Sequence, residues 1–219
     1  MTFETKLGRN QFATAAKCRL AIMRMDEKRY DEAHTLIKQA LTPDSRNAEV
    51  RAFYIHLLCT TGQVKAAKGF TFNVLKDDGR DVYALCAAGR LTYQEARENR
   101  DPSSSGAAAR KENFQKAANI FIKALGIDPF CAIAAQGLAI IIAEDSLEAW
   151  TPGQVVEDVQ FRNRSLRNTR QALDVLTKVR ESLNDGSVYI NMGHCHFARE
   201  EYEKAIENVK SKVTLPVDN

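Results

Sequence analysis

The sequence predicts an all-α fold, a right-handed superhelix (α-solenoid) of about five stacked helix-turn-helix repeats. The first observation is a period of 34 residues, which relates Ala21, Ile55 and Gly89. The second is that Ala33 and Ala67 each follow the first two of these residues by 12 positions. A small residue on each of two antiparallel helices lets them pack closely, and a fixed period of this length indicates one supersecondary unit repeated along the chain.

Each repeat is predicted to consist of helix A followed by helix B. The predicted array covers residues 12–208, after an N-terminal lead-in of residues 1–11 and before a non-repeat tail of residues 209–219. The repeats are predicted at about 14–47, 48–81, 82–131, 132–185 and 186–212.

The first two repeats are predicted to have short turns between their helices. In the first, Ala33, Ile37 and Ala40 recur at helical spacing and give helix B one small, apolar face. In the second, Gly62 lies between the two helices, where glycine favours a turn. Both repeats therefore predict a simple helical hairpin.

The third repeat carries an insertion between its helices. Gly89 and Ala117 lie 28 residues apart, which is 16 more than the regular 12. Residues 99–112 include the run Asp101-Pro102-Ser103-Ser104-Ser105-Gly106, a composition that favours a loop or disorder. We therefore predict a long inter-helix loop here, and a helix B that ends at Pro129.

The fourth repeat carries a second insertion, and the fifth is regular again. Ala139 and Ala172 lie 33 residues apart, 21 more than 12, and the turn signal Trp150-Thr151-Pro152-Gly153 lies between them. This predicts a second long loop. Gly193 and Ala205 return to the spacing of 12.

The period and the layout resemble those of the tetratricopeptide repeat (TPR), a binding scaffold. Residues 81–89, 118–125 and 179–194 further resemble the TPR scaffold subunit of the RNA polymerase II-associated factor (Paf) complex, most closely its fungal members. The resemblance covers the order of the units and the oversized third repeat. It extends over most of residues 10–208, against the C-terminal part of that subunit's repeat array.

This resemblance implies a nuclear scaffold with no enzymatic activity of its own. The partners it implies are the other subunits of the polymerase-associated factor complex, including the subunit that names the complex and the parafibromin-like subunit. The implied processes are transcription elongation and histone modification. The alternative is a general cytosolic TPR adaptor that binds a peptide or a helix.

The concave face of such an array is lined by helix A, and we expect a partner segment to bind there in a groove. The alternative is that these residues simply pack against the next turn of the superhelix. The predicted groove residues are Tyr83, Cys86, Arg90, Tyr93, Ile133, Gln136, Ile140, Ile190, His194 and Phe197.

A basic run offers a weaker alternative function, contact with the phosphates of a nucleic acid. It consists of Arg162, Arg164, Arg167 and Arg170. No aromatic residues for base stacking are interleaved with these arginines, and acidic residues nearby, among them Glu144, offset their charge. A solvated helix face is the more usual role of such a run.

Composition and motifs argue against several other classes of protein. The net charge of +3 is too small to indicate nucleic-acid binding, and the longest apolar run, residues 138–143, is too short to span a bilayer. The five cysteines are widely spaced, which favours free thiols in a reducing compartment. No catalytic or cofactor motif occurs. His194, Cys195 and His196 point about 100° apart on a helix and do not converge on a metal.

Overall fold

The computed structural model describes residues 3–146, 159–183 and 185–213, and the side chains of residues 12–144, 165–183 and 185–211. These residues form ten α-helices and no strand, which confirms the predicted all-α class. The helices are α1 (Phe3–Asp26), α2 (Tyr30–Leu41), α3 (Ala48–Thr60), α4 (Val64–Asp77), α5 (Val82–Glu98), α6 (Ser104–Ile127), α7 (Ala132–Ser146), α8 (Val159–Ser182), α9 (Gly186–Ala198) and α10 (Tyr202–Val213).

The chain divides into two compact units, Met1–Ala87 and Ala88–Asn219. In the first unit α1 packs on α2, α2 on α3, and α3 on α4. In the second, α6 packs on α7, α7 on α8, α8 on α9, and α9 on α10. Within the described part of the chain, no helix combines the length and the apolar character needed to cross a membrane.

The small residues at the repeating positions of the first unit are buried between its helices. Ala21 on α1 and Ala33 on α2 have no solvent exposure, and Ala67 on α4 has none either. Ile37 and Leu57, also fully buried, fill the core beside them. The small residues let the helix backbones approach, and the larger residues then fill the space between the helices.

The second unit contains a tighter version of this packing around one aromatic ring. Phe121 on α6 is 3% exposed and lies against Gly89 on α5 and Gly137 on α7. A Cβ atom built on Gly89 would lie 2.8 Å from Cε1 of Phe121, and one built on Gly137 would come closer still to its Cζ. The absence of a side chain at both glycines therefore makes the slot that the ring occupies.

The rest of the second unit's core lies among α7, α8 and α9. Its buried residues include the predicted small residues Ala139 and Ala172, packed with Leu176, Val188 and Met192. These side chains are at most 5% exposed. The predicted period therefore identifies interior positions in both units.

The turns between helix A and helix B of the first, second and fifth repeats share one backbone conformation. Lys28 (φ 61°), Gly62 (φ 71°) and Glu200 (φ 63°) each lie seven residues after the small-residue position of helix A, and all three adopt the left-handed region. That region is comfortable for glycine and costs other residues about 1 kcal/mol or more. Of these three turns, only that of the second repeat has glycine there, so Lys28 and Glu200 adopt a conformation that is strained for their residue types.

The prediction of a long loop over residues 99–112 is wrong. Helix α5 continues through the usual turn position to Glu98, and α6 already begins at Ser104, so most of the insertion lengthens the two helices. Two local features start α6 early. The Ser103 hydroxyl accepts a hydrogen bond from the Gly106 N–H at 3.0 Å, and a run of alanines with high helix propensity follows.

The buried Arg110 side chain stabilises the short connection between α5 and α6, residues 99–103. Its Nη1 donates to the Asp101 carbonyl oxygen at 2.5 Å. Satisfying a backbone carbonyl from inside the hairpin fixes the path of residues 99–103. Composition predicted that Ser103 and Gly106 form a loop. In the structure Ser103 caps helix α6, and Gly106 supplies the N–H that this cap accepts.

Two other predicted boundaries concern the insertion of the fourth repeat and the C-terminal tail. The turn signal at residues 150–153 lies outside the described residues, although the later part of that insertion is helical because α8 begins at Val159. The tail predicted to begin at residue 209 is wrong at its start, because α10 continues to Val213. The exposed apolar side chains of Ile206 and Val209 keep the helical spacing there.

We expect Gly137→Ala to destabilise the chain by about 1–3 kcal/mol, because its methyl group overlaps the Phe121 ring. This loss exceeds the gain of up to about 1 kcal/mol that alanine brings to a helix. Gly126→Ala is the matched control, since a Cβ there meets nothing within 4 Å; it should be neutral or slightly stabilising. Urea unfolding followed by circular dichroism measures both, and equal stability of Gly137→Ala and the unmodified chain would contradict the slot.

We expect Lys28→Gly to stabilise the chain by about 1 kcal/mol, because glycine removes the strain of a left-handed residue in the α1–α2 turn. Lys76→Gly, at an exposed helical position of α4, should instead cost about 0.5–1 kcal/mol. The same urea titration separates the two signs. Destabilisation by both variants would show that the Lys28 turn stores no strain.

Candidate protein-interaction groove

The second unit carries an open groove of about 720 Å³. Its walls come from helix A of the third, fourth and fifth repeats, namely α5, α7 and α9, and we call it the α5–α7–α9 groove. The lining residues are Arg90, Tyr93, Gln94, Arg97, Glu98, Arg100, Ile140, Glu144, Asn191 and His194.

A buried carboxylate lies at the base of the groove. Glu144 on α7 is 7% exposed, and its Oε1 accepts a hydrogen bond from the Tyr93 hydroxyl at 2.7 Å. The same oxygen accepts from Nη1 of Arg97, which also forms an ion pair with it. Among the described residues Oε2 of Glu144, itself buried, has no hydrogen-bond partner. The cost of burying this charge is therefore offset mainly by two side chains of α5.

The protonation states of Tyr93 and Arg97 favour this arrangement. Burial and the neighbouring Glu144 carboxylate raise the pKa of Tyr93 well above its usual range, because both disfavour a phenolate. The hydroxyl therefore stays protonated and keeps donating. The Glu144 carboxylate also raises the pKa of Arg97, which remains a cation.

Beneath the open groove lies a smaller cavity of about 210 Å³. It reaches inward to Thr169 and Leu176 on α8, and the residues that it shares with the groove are Arg97, Ile140, Glu144, Asn191 and His194. The groove therefore continues into a recess of mixed character, in which apolar residues such as Leu176 lie beside polar ones such as Thr169. Such a recess is suited to a side chain with both an apolar and a polar part.

The rim of the groove carries cationic side chains. Arg90 and Arg100 are exposed, and neither has an ion-pair partner within the described residues. Glu98, also on the rim, accepts a hydrogen bond from Nε2 of Gln94 at 2.7 Å. The wall formed by α5 and the residues just after it therefore holds three arginines and one carboxylate.

The structure brings together four of the ten residues predicted for the groove: Arg90, Tyr93, Ile140 and His194. Tyr83 and Cys86 belong to the first unit. Tyr83 is exposed, whereas Cys86 is 6% exposed, so its thiol is a core group and does not line a surface.

The other four predicted residues lie in the second unit but outside the lining of the groove. Gln136 donates from Nε2 to the Ser187 hydroxyl at 2.9 Å and so links α7 to α9. Phe197, 64% exposed, packs edge-on against Tyr202 with ring centroids 5.5 Å apart. Ile133 is exposed and Ile190 half-buried.

Sequence reasoning missed Arg97, Arg100 and Glu144. The two arginines follow the position where the regular repeat would turn, and they join the groove because α5 continues past it. Glu144 was interpreted as a counter-charge to the basic run, whereas its partner is Arg97 on another repeat. The sequence signal that could have identified Arg97 is its spacing of seven residues from Arg90. This spacing is two helical turns and places both arginines on the same face of α5.

The remaining predicted sites are only partly described. The side chains of Arg162 and Arg164 lie outside the described residues, and Arg167 and Arg170 are exposed on α8. A phosphate contact there stays a prediction.

The His194-Cys195-His196 run presents its members to three different surroundings. His194 faces the groove. Burial raises the pKa of the Cys195 thiol to about 11. Nδ1 of His196 lies 2.7 Å from Oε2 of Glu201.

Part of the chain matches a known repeat family. Residues 24–89 match the tetratricopeptide repeat family. TTC0263, a thermophilic TPR protein of Thermus thermophilus, has a similar structure, with a TM-score of 0.68 over 94% of this chain and 93% of that chain. The sequence identity of 15% means that this likeness shows the fold alone. It confirms the predicted helical solenoid of TPR type, a fold that serves protein–protein interaction.

Two curated relatives from yeasts match nearly the whole chain. The RNA polymerase-associated protein CTR9 of Saccharomyces cerevisiae is 30% identical, over 89% of this chain and 17% of that protein. Tetratricopeptide repeat protein 1 of Schizosaccharomyces pombe is 28% identical, again over 89% of this chain and 17% of that protein. The chain therefore spans 17% of the length of either relative, and the similarity is distant and partial.

We expect Tyr93→Phe to destabilise the chain by about 1.5–3 kcal/mol, because it removes a hydrogen bond to a buried carboxylate. Tyr83→Phe on the same helix is the control: the Tyr83 side chain is 58% exposed, so its change should stay within about 0.5 kcal/mol. Urea unfolding measures both variants. Equal stability of the two would mean that the Tyr93 hydroxyl does not support Glu144.

Proposed function

We propose that this chain is part of a nuclear scaffold that holds together subunits of an RNA polymerase II-associated factor complex during transcription elongation. The observation that carries the proposal is the 30% identity to CTR9, a protein named for its association with RNA polymerase, across 89% of the chain. The proposed partners are the parafibromin-like subunit and the subunit that names the complex. In this role the chain binds proteins and has no reaction of its own.

The groove supports a binding role for the second unit. It is open and lined by helix A residues, the face that TPR arrays offer to partner segments. It combines a recess that is partly lined by apolar side chains with exposed charged groups, so a partner can gain both buried area and specific polar contacts. We propose that one of the two partners inserts a segment there.

The proposal predicts direct binding that can be measured with purified proteins. The chain is co-expressed with each proposed partner from the same organism, and each pair is analysed by size-exclusion chromatography. We expect at least one partner to co-elute with the chain, and the tagged chain to accumulate in the nucleus. Failure of both partners to co-elute with a folded, helical chain would overturn the proposal.

A bulky substitution tests whether the groove is the binding surface. His194→Trp places a large ring in the groove from an exposed position, and we expect it to weaken partner binding about tenfold or more. His56→Trp, at an exposed histidine of α3 in the first unit, is the matched control and should bind normally. Normal binding by both variants would place the interface outside the groove.

A further inference from the structure

We propose that the α5–α7–α9 groove selects an acidic, extended segment of its protein partner, whose carboxylates pair with Arg90 and Arg97. This inference rests on the proposed function, because it names the chemistry of the segment that the groove receives. It goes beyond that function by assigning a charge, a conformation and a spacing to the occupant.

The charge of the groove wall favours an acidic occupant. Arg90, Arg97 and Arg100 lie along one wall, against the carboxylates of Glu98 and Glu144. Glu144 is paired with Arg97, whereas Glu98 accepts a hydrogen bond from the neutral amide of Gln94 and keeps its charge. The lining therefore holds three arginines against two carboxylates, and the exposed guanidinium of Arg90 forms no ion pair among the described residues. A partner carboxylate would supply its counter-charge.

Glu144 makes Arg97 a positioned cation and acts as a positioning residue. The Arg97 side chain is about half exposed (52%), while the Glu144 side chain is 9% exposed, so the ion pair reaches from the interior to the groove surface. Only Nη1 of Arg97 is engaged by Glu144, which leaves its other N–H groups available to a ligand. A guanidinium held in place loses less side-chain entropy on binding a carboxylate than a free one does.

The spacing of the two arginines suggests the form of the ligand. Arg90 and Arg97 are seven residues apart on α5, a rise of about 10 Å along the helix. A polyproline II segment advances about 3.1 Å per residue with three residues per turn, so acidic residues three positions apart lie on one side and about 9 Å from each other. A segment with an acidic residue at every third position therefore matches the two cations.

The same wall argues against a nucleic acid as the occupant. Binding of a single-stranded nucleic acid relies on aromatic rings that stack on its bases, and Tyr93 is the aromatic residue of this groove lining. The Tyr93 hydroxyl is tied to Glu144 and its ring packs edge-on against Phe114, with centroids 5.9 Å apart, so it is not free to stack on a base. We therefore commit to an acidic protein segment, and a nucleic acid becomes an outcome of the test.

The test uses the full chain and three fluorescent probes at about 0.15 M salt. The first is a peptide of about twelve residues with glutamate at every third position among proline and alanine. The second replaces each glutamate by glutamine, and the third is a single-stranded oligonucleotide of similar length. The variants are Arg90→Glu, which reverses the free cation, and Arg180→Glu, at an exposed arginine of α8 that is not part of the groove lining.

We expect the glutamate peptide to bind, and the glutamine peptide to bind about tenfold more weakly or worse. Arg90→Glu should weaken the glutamate peptide about tenfold with unchanged helicity, while Arg180→Glu leaves its binding unchanged. Equal binding of the two peptides, no effect of Arg90→Glu, or absence of peptide binding to the unmodified chain would each overturn the inference. Tighter binding of the oligonucleotide than of the glutamate peptide, lost in Arg90→Glu, would also overturn it.

Failure of this inference is distinguishable from failure of the proposed function. If partner subunits co-elute equally with the unmodified chain and with Arg90→Glu, the scaffold role stands and the acidic segment does not. If the glutamate peptide binds through Arg90 but neither proposed subunit co-elutes, the groove chemistry stands and the assignment to the polymerase-associated complex does not.

Discussion

The contact on which the second unit depends is the packing of the Phe121 ring against Gly89 and Gly137. Two helices, α5 and α7, must each lack a side chain at the point of contact for α6 to bring a phenyl ring between them. Close packing of this kind resists small displacements, because a single added methyl group overlaps the ring. The positions of α5 and α7 relative to α6 are therefore fixed more tightly than a generic apolar contact would fix them.

The groove inherits its geometry from that contact. Tyr93 and Arg97 lie one and two turns beyond Gly89 on α5, and Glu144 lies two turns beyond Gly137 on α7. Residues at these intervals share a helix face. The two helices that pack against the Phe121 ring therefore also bring the Tyr93 hydroxyl and the Arg97 guanidinium to the buried Glu144 carboxylate. An ion pair with one partner below the surface needs such rigid support, since the pair recovers its desolvation cost only when the geometry holds.

The insertion in the third repeat contributes to function by extending a helix. In the first two repeats the chain turns seven residues after the small-residue position of helix A. In the third, α5 passes Ala96 at the equivalent position and continues to Glu98. Arg97 belongs to this extension and Arg100 follows it, so the added residues supply much of the positive charge of the groove wall. A repeat can gain a binding surface in this way without disturbing the contacts that stack it.

Sequence patterns alone predicted the helical class, the period and the interior positions, because close helix crossings require small residues such as Ala33 and Gly89 at regular intervals. It also predicted Arg90, Tyr93, Ile140 and His194 as groove residues, since helical periodicity assigns them to one face. The structure adds two facts that the sequence analysis did not predict: residues 104–112 are helical, and Glu144 pairs with Arg97 across 47 positions of chain. Composition does not distinguish a serine that caps a helix, such as Ser103, from a serine in a loop, and it does not show that Arg110 holds the connection from inside. A pairing between repeats depends on how helices pack, which no local pattern encodes.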